Sequence, residues 1–400
     1  MKFAVAAYGS RGDVEPCAAA ALELLRRGHD VRMAVPPNML GFIESAGLAG
    51  VAYGPDSREE MNPASDLVDN LLPKMKNPLS VVPEVIEHVT QVMVEKSATL
   101  TALANGADLV LAGFNEQGLA ANVAEYCGIP VVALHLFPER IWSSGWLFSL
   151  MTKVAEDTQR RALGLAEVTE PSPRSLEIQA YDELCLPGLA AQWADQGGRR
   201  PFVGALTLEL PTDTDEELLS WITAGTPPIY FGLGSTPITS PGDTVAMISA
   251  ACAQLGERVL ICSGPNDVTG NQHPEHVKVV DAVNHSAIFP VCRAVVHHGG
   301  AGTTAAALRA GIPILILWLW LDQPLWAAAV KQLEVGFGRR FSETTVETLA
   351  ADLLSVLAPR YATQAREVAT QMTNAAESRA RAGNLLEDTA RRGRVVRFRR

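Results

Sequence analysis

Apolar residues fall in short runs separated by longer amphipathic stretches, and that spacing predicts strands alternating with helices. Phe3 to Tyr8 is apolar, Gly9 to Asp13 turns the chain, and Val14 to Arg27 has helical periodicity that stops at Gly28. Residues 30–35 form the next strand. A strand–helix–strand start implies a parallel sheet with right-handed crossovers. Residues 108–113 and 129–134 are two further buried strands, each followed by polar residues: Asn115, Glu116 and Gln117 after the first, His135 after the second. Between 55 and 105 the pattern loosens, and Pro63, Pro73, Pro78 and Pro83 punctuate short helical stretches.

The second half repeats this grammar. Residues 228–235 read as a strand and a Gly/Ser turn; 258–262, 278–280, 294–296 and 313–320 read as strands with helices between them, and 345–392 as helical. The expected architecture is α/β, two doubly wound Rossmann-like domains facing across a cleft. Domain 1–200, a linker at 201–212, domain 213–385 and a basic tail at 386–400 follow from the composition shifts. Asp213, Thr214 and Asp215 mimic a metal-binding spacing, but they stand just before a helix at 216–222, where capping is their natural task.

The chemistry concentrates in 294–304. Three apolar residues end a strand, His297 and His298 follow, and Gly299, Gly300 and Gly302 precede Thr303 and Thr304. An alanine-rich helix then runs to Gly311. Glycines let backbone approach a ligand closely, and a helix start offers unpaired N–H donors with a positive dipole end. Such a turn suits a diphosphate. Ser235 ends another strand of the same half, and Asp322 and Gln323 end a third, where an acceptor and an amide suit sugar hydroxyls. In the first half, Asp13 follows the first strand, placed to take a proton from a hydroxyl. Helix capping is the competing task for both Asp13 and Asp322. The aromatic segment 141–151, with Trp142 and Trp146, serves either as packing or as a wall for a greasy acceptor.

Composition narrows the classes. Four hundred residues exceed one typical core. A net charge of −11 argues against general nucleic-acid binding. Cys17, Cys127, Cys185, Cys252, Cys262 and Cys292 are dispersed and form no Cys-x-x-Cys, which points to neither a disulfide scaffold nor a zinc site and fits a cytoplasmic protein. The longest apolar run, Ile312 to Leu321, is ten residues, against about 20 for a membrane span. Gly9 and Gly12 do not make the Gly-x-Gly-x-x-Gly dinucleotide fingerprint. The last ten residues hold six arginines. They are either a solvated run or a contact for the anionic inner face of a membrane.

These residues resemble the family 1 glycosyltransferases of GT-B fold. The nearest branch is the actinobacterial one that decorates glycopeptide antibiotics and mycobacterial glycopeptidolipids and phenolic glycolipids. The resemblance covers nearly the whole chain and rests on Gly9–Pro16, Phe231–Ser235, His297–Thr304 and Asp322–Ala327; Val35–Asn38 and Gly113–Gln117 give the mycobacterial look. It implies a metal-independent, inverting transfer of a hexose, a 6-deoxy sugar by expectation, from a TDP- or UDP-sugar to a hydroxyl of a lipid or lipopeptide. No further cofactor is implied. The first domain would bind the acceptor and the second the donor. Asp13 matches the general base; Ser235, His298, Gly300, Gly302 and Thr303 match diphosphate positions; Asp322 and Gln323 match the donor-sugar positions. Ser10, Glu116, His135, Trp142 and Trp146 are the acceptor-side candidates. Asp13 should have a lowered pKa beside the helix start, making it a weak base that acts late. The sequence departs from plant members at Ala306, where they carry a ribose-binding glutamate, and at Val280–Val283, where they carry a base-stacking tryptophan. A nucleotide-sugar epimerase of the same fold and a non-catalytic helper are the alternative functions.

Overall fold

The computed structural model describes residues 1–59, 82–138, 145–166, 176–193, 198–232, 234–235, 238, 240–266 and 273–397. The chain divides into two compact units. The first comprises Met1–Ala180, Gln192–Leu208 and Ala375–Arg400, and the second Tyr181–Ala191 and Glu209–Asn374.

In the first unit, β1 (Lys2–Ala6), β2 (Asp30–Val35), β3 (Ala49–Ala52), β4 (Leu109–Ala112), β5 (Val131–His135) and β6 (Leu176–Gln179) form one parallel sheet in the order β3-β2-β1-β4-β5-β6. The strands are short and the central ones almost wholly buried: Phe3, Val5, Ala6, Leu109, Val110, Leu111 and Leu134 are at 0% exposure, whereas the edge strand β3 has no buried residue. Helices α1 (Arg11–Arg26), α2 (Leu40–Ser45), α3 (Val82–Ala104), α4 (Gln117–Cys127) and α5 (Gly145–Ala162) connect them, and the short α6 (Leu189–Trp193) follows β6 where the chain passes between the units. The order reverses between β1 and β4, and such a switch point opens a crevice at the strands' carboxyl ends.

The second unit repeats the plan. Its sheet runs β12-β11-β10-β7-β8-β9, all parallel, with β7 (Ile229–Gly232), β8 (Val259–Cys262), β9 (Val277–Val280), β10 (Ala294–His297), β11 (Ile314–Trp318) and β12 (Gly336–Arg340). Its helices are α7 (Asp215–Thr223), α8 (Pro241–Gln254), α9 (His285–Ile288), α10 (Ala301–Ala310), α11 (Gln323–Gln332), α12 (Val346–Val356) and α13 (Pro359–Ala369). Here the switch point lies between β7 and β10.

The expected strands all appear, and their order makes each unit Rossmann-like. Four expectations change. The stretch before residue 105 ends in α3, one continuous 23-residue helix with Pro83 in its first turn, where proline costs no hydrogen bond. Residues 201–208 belong to the first unit: Val203 donates its N–H to Gln179 O and Leu208 its N–H to Glu15, tying them to that unit. The last helix, α14 (Ala375–Arg397), also belongs to the first unit, so the boundary falls near 374 and not at 385. At 212–215 the aspartate serves the start of α7 as its first residue and not as its cap: Asp215 accepts from Thr212 N and Oγ, while Thr214, the N-cap, makes no side-chain bond to the helix. Among the described residues no helix is long and apolar enough to cross a membrane.

Candidate active site

The chemistry-bearing residues of each unit stand at its switch point. In the second unit, β10 ends at His297 and α10 begins one short turn later. Gly300 is the N-cap, and the first intrahelical bond runs from Thr304 N to Gly300 O at 3.0 Å. The N–H groups of Ala301, Gly302 and Thr303 therefore have no helical partner. Thr304 spends its hydroxyl on Gly300 O at 2.9 Å and is buried, whereas Thr303 is half-buried. A Cβ on Gly302 would meet nothing within 4 Å, so this turn opens onto free space.

The other glycines have a different task. His298 donates its N–H to Gly232 O at 3.3 Å, which ties β10 to β7. Its imidazole lies between Gly234 and Gly300. A Cβ on Gly300 would come within 2.7 Å of His298 Nε2, and one on Gly234 would strike the ring. Gly299, at φ +99°, packs against Ile316 and Gln323. The glycines thus make room for a histidine and an underlying helix, and only Gly302 leaves space for a ligand. His298 Nδ1 is buried with no partner among the described residues, and desolvation pushes the ring's pKa down to about 4. The ring is neutral near pH 7 and offers a single N–H donor. His297 is fully buried; its Nδ1 accepts from Gly299 N at 3.0 Å, which puts its proton on Nε2, and burial holds its pKa well below the usual range.

Ser235 is half-buried in the turn after β7. After β11, Leu321 takes a left-handed backbone at φ +57°, a strained conformation for a branched side chain. Asp322 follows as the N-cap of α11 and accepts from Trp326 Nε1 at 2.8 Å; Gln323 is buried and accepts from Leu319 N at 2.7 Å and Trp320 N at 3.2 Å. Both side chains shape their own loop. Ser235, His298 and Asp322 end three neighbouring strands, β7, β10 and β11. Asn284 caps α9 by accepting from Ser286 N and Oγ.

In the first unit, Gly9 turns the chain at φ +131°, and a Cβ there would collide with the Asp13 carboxylate. Asp13 sits in the first turn of α1 and accepts from Ser10 N at 2.8 Å and Ser10 Oγ at 2.9 Å. Burial raises its pKa above the ordinary value, and the Ser10 bonds offset only part of that. The expected depression at a helix start is thus reversed: desolvation outweighs the helix end, and Asp13 becomes a better base. Glu116 is 1% exposed, bonded to Tyr53 OH and paired with Lys96 Nζ, both at 2.5 Å; the Lys96 ammonium also rests 3.7 Å from the Tyr8 ring centre. No sequence pattern marks Lys96, a mid-helix lysine. His135 is 2% exposed, 3.5 Å from Gln117 Nε2 and 3.9 Å from Glu177. Glu116 and His135 are thus engaged inside the unit. Trp142 lies outside the described residues, and Trp146 lies in α5 with its side chain outside them.

With this geometry in place, the comparisons agree at both ends. Residues 3–134 match the glycosyltransferase family 28 N-terminal domain, and 238–387 match the C-terminal domain of erythromycin biosynthesis protein CIII-like. The chain is 57% identical over 420 aligned residues to an uncharacterised glycosyltransferase of Mycobacterium bovis, covering 98% of this chain and 100% of that one. The chain belongs to the family 1 glycosyltransferases. The vancomycin aglycone glucosyltransferase of Amycolatopsis orientalis is 29% identical over 98% of each chain. The crystal structure of glycosyltransferase VinC in complex with dTDP superposes with a TM-score of 0.68 at 20% identity, over 98% of this chain and 100% of that one. This glycosyltransferase accordingly has the two-domain GT-B fold, and its enzymatic class is hexosyl transfer.

Proposed function

We propose that this glycosyltransferase moves a hexose, of 6-deoxy type, from a TDP- or UDP-sugar to a hydroxyl of a lipid or lipopeptide, with inversion. The turn from His298 to Thr303 carries this reading. Three orphan helix N–H groups, a neutral imidazole donor and open space over Gly302 suit a diphosphate. In the reaction the acceptor oxygen attacks the anomeric carbon, and the bond from that carbon to the diphosphate oxygen breaks. The electron pair leaves with the diphosphate, which the donors at the start of α10 stabilise. The acceptor's proton passes to Asp13, whose raised pKa suits the task. Asp322 and Gln323 hold the sugar, with Gln323 first releasing the loop amides that it binds here. Ser10 and the segment around Trp142 and Trp146 line the acceptor side; Glu116 and His135, both buried, support that region from beneath.

A thymidine donor is favoured over a uridine one. Ala306 on α10 stands where plant members carry the ribose-binding glutamate, and the VinC structure holds dTDP. A thermal-shift screen of TDP, UDP and GDP tests this. TDP at 100 times its Kd should stabilise the protein by about 2.7 kcal/mol. Much tighter binding of UDP would remove the thymidine preference, and no stabilisation by any of the three would remove the diphosphate site. Asp13→Asn should abolish transfer with TDP affinity unchanged; full turnover would end the base assignment. Conversion of the donor sugar without acceptor would identify an epimerase instead. The arginines at the end of the chain would hold the enzyme at an anionic inner membrane face, gaining about 1 kcal/mol per basic residue near the lipid. Deleting residues 394–400 should reduce co-sedimentation with phosphatidylglycerol vesicles; equal sedimentation would sink that contact.

A further inference from the structure

The peptide linking Gly9 to Ser10 is held at both ends. Its N–H donates to Asp13 Oδ2 at 2.8 Å, and its carbonyl accepts from Ser57 Oγ at 2.7 Å. Ser57 stands just beyond β3 and is 1% exposed. Its hydroxyl has one proton, given to Gly9 O, and its oxygen accepts from Asn38 Nδ2 at 3.1 Å. Asn38, beyond β2, closes the pair by accepting Ser57 N at 3.2 Å. Donors thus run in one direction, from the Asn38 amide through the Ser57 hydroxyl and the peptide to the Asp13 carboxylate. Each bond polarises the next, and low dielectric strengthens the chain.

We propose that Ser57 is a positioning residue for Asp13, acting through the Gly9–Ser10 peptide, with Asn38 fixing the direction of its hydroxyl. Gly9 has no Cβ and adopts a backbone open to few other residues, so this peptide plane is held by the Asp13 bond at its N–H and the Ser57 bond at its carbonyl. Two other attachments flank it: Asn115 Nδ2 donates to Tyr8 O at 3.1 Å, and Tyr8 OH donates to Pro55 O at 3.2 Å. Loops after β2, β3 and β4 therefore converge on the turn after β1, and only the Ser57 bond falls on the peptide that touches the carboxylate. Among the described residues the charges around Asp13 are otherwise balanced. Glu116 is paired with Lys96, Arg11 is paired with Glu15 at 2.8 Å, and burial pushes the Cys17 thiol up to about 12, leaving it neutral.

The inference rests on Asp13 being the reactive carboxylate, but its test does not. Aspartate carrying a 13C carboxyl label reports Asp13 directly, with Asp13→Asn assigning the signal. In Ser57→Ala the N–H donor is weakened, so the carboxylate loses stabilisation and its titration midpoint should rise by about half a pH unit; Ser57→Thr should restore it. Asn38→Ala, which keeps the serine, should produce a smaller rise and serves if Ser57→Ala does not fold. An unchanged midpoint in a folded Ser57→Ala or Asn38→Ala protein overturns the relay. If the midpoint moves while Asp13→Asn transfers sugar normally, the relay stands and the base assignment falls.

Discussion

At His298 burial opposes the charge that the proposed function would favour. A diphosphate would favour a cationic imidazole, yet desolvation keeps the ring neutral, with a pKa of about 4. In the proposed diphosphate site the charge would therefore come from the helix start, with the histidine supplying direction. This arrangement has a measurable stability signature. The folded pKa lies below the ordinary 6.5, so the unfolded chain binds the extra proton between those values. The stability contributed by His298 is complete above pH 6.5 and is lost as the pH falls toward 4. About 2.5 units at about 1.36 kcal/mol each make that loss on the order of 3 kcal/mol. Chemical denaturation of wild type and His298→Gln at pH 7, 5.5 and 4 checks it. The variant should lose less stability on acidification, and parallel curves would show that the ring is not desolvated. Asp13 illustrates the same competition with the opposite sign, since burial there disfavours the charged carboxylate.

Among the elements, α10 separates folding from binding most cleanly. Gly300 and Gly234 are required by the His298 ring, but Gly302 is exposed, lies in the first turn of α10 and has nothing within 4 Å of where a Cβ would stand. Alanine is the better helix former by up to about 1 kcal/mol. Gly302→Ala should leave stability unchanged or slightly higher while weakening TDP binding at least tenfold, read by calorimetric titration; undiminished affinity would move the phosphates off this turn. The strand–glycine–helix unit was legible from sequence because buried parallel strands are continuous apolar runs and glycine marks the turns. The task of each glycine was not, because which atoms approach Gly234 or Gly300 depends on the register of β10 with β7. Helix α3 is hidden in the sequence for a related reason: Pro83 has the look of a breaker, and only the structure places it in the first turn. Glu116 read as a ligand group because it follows a strand, and only tertiary packing supplies its partner Lys96 from the middle of α3.

At the scale of the whole molecule, the return of the chain to its first unit has a consequence for engineering. Helix α14 lies against α1: Arg27 donates to Asn384 at 2.7 Å and to Ala380 O at 3.0 Å, and His29 pairs with Glu387 at 2.7 Å. Ala382, Leu386 and Ala390 are fully buried, and Arg379 donates to Thr207 O at 3.0 Å. Burying one leucine contributes about 1.5–3 kcal/mol, so losing the helix removes a large share of the about 5–15 kcal/mol that stabilises a domain. Composition alone could not assign it, because a charged amphipathic helix fits either Rossmann-like unit. Truncation after Asn374 should therefore collapse amide-exchange protection in β1, β2 and β4, by at least about a hundredfold at about 1.4 kcal/mol per tenfold. Protection in β7, β10 and β11 should persist, because their core draws on α8 and α12, with Val245, Ile248, Leu349 and Leu353 packed beneath the sheet. TDP should still raise protection at the start of α10 in the truncated chain. Loss of protection in both sheets together would mean that the helix supports the entire molecule, and unchanged protection in β1 would mean that its contacts with α1 contribute nothing to the fold of the unit that carries Asp13.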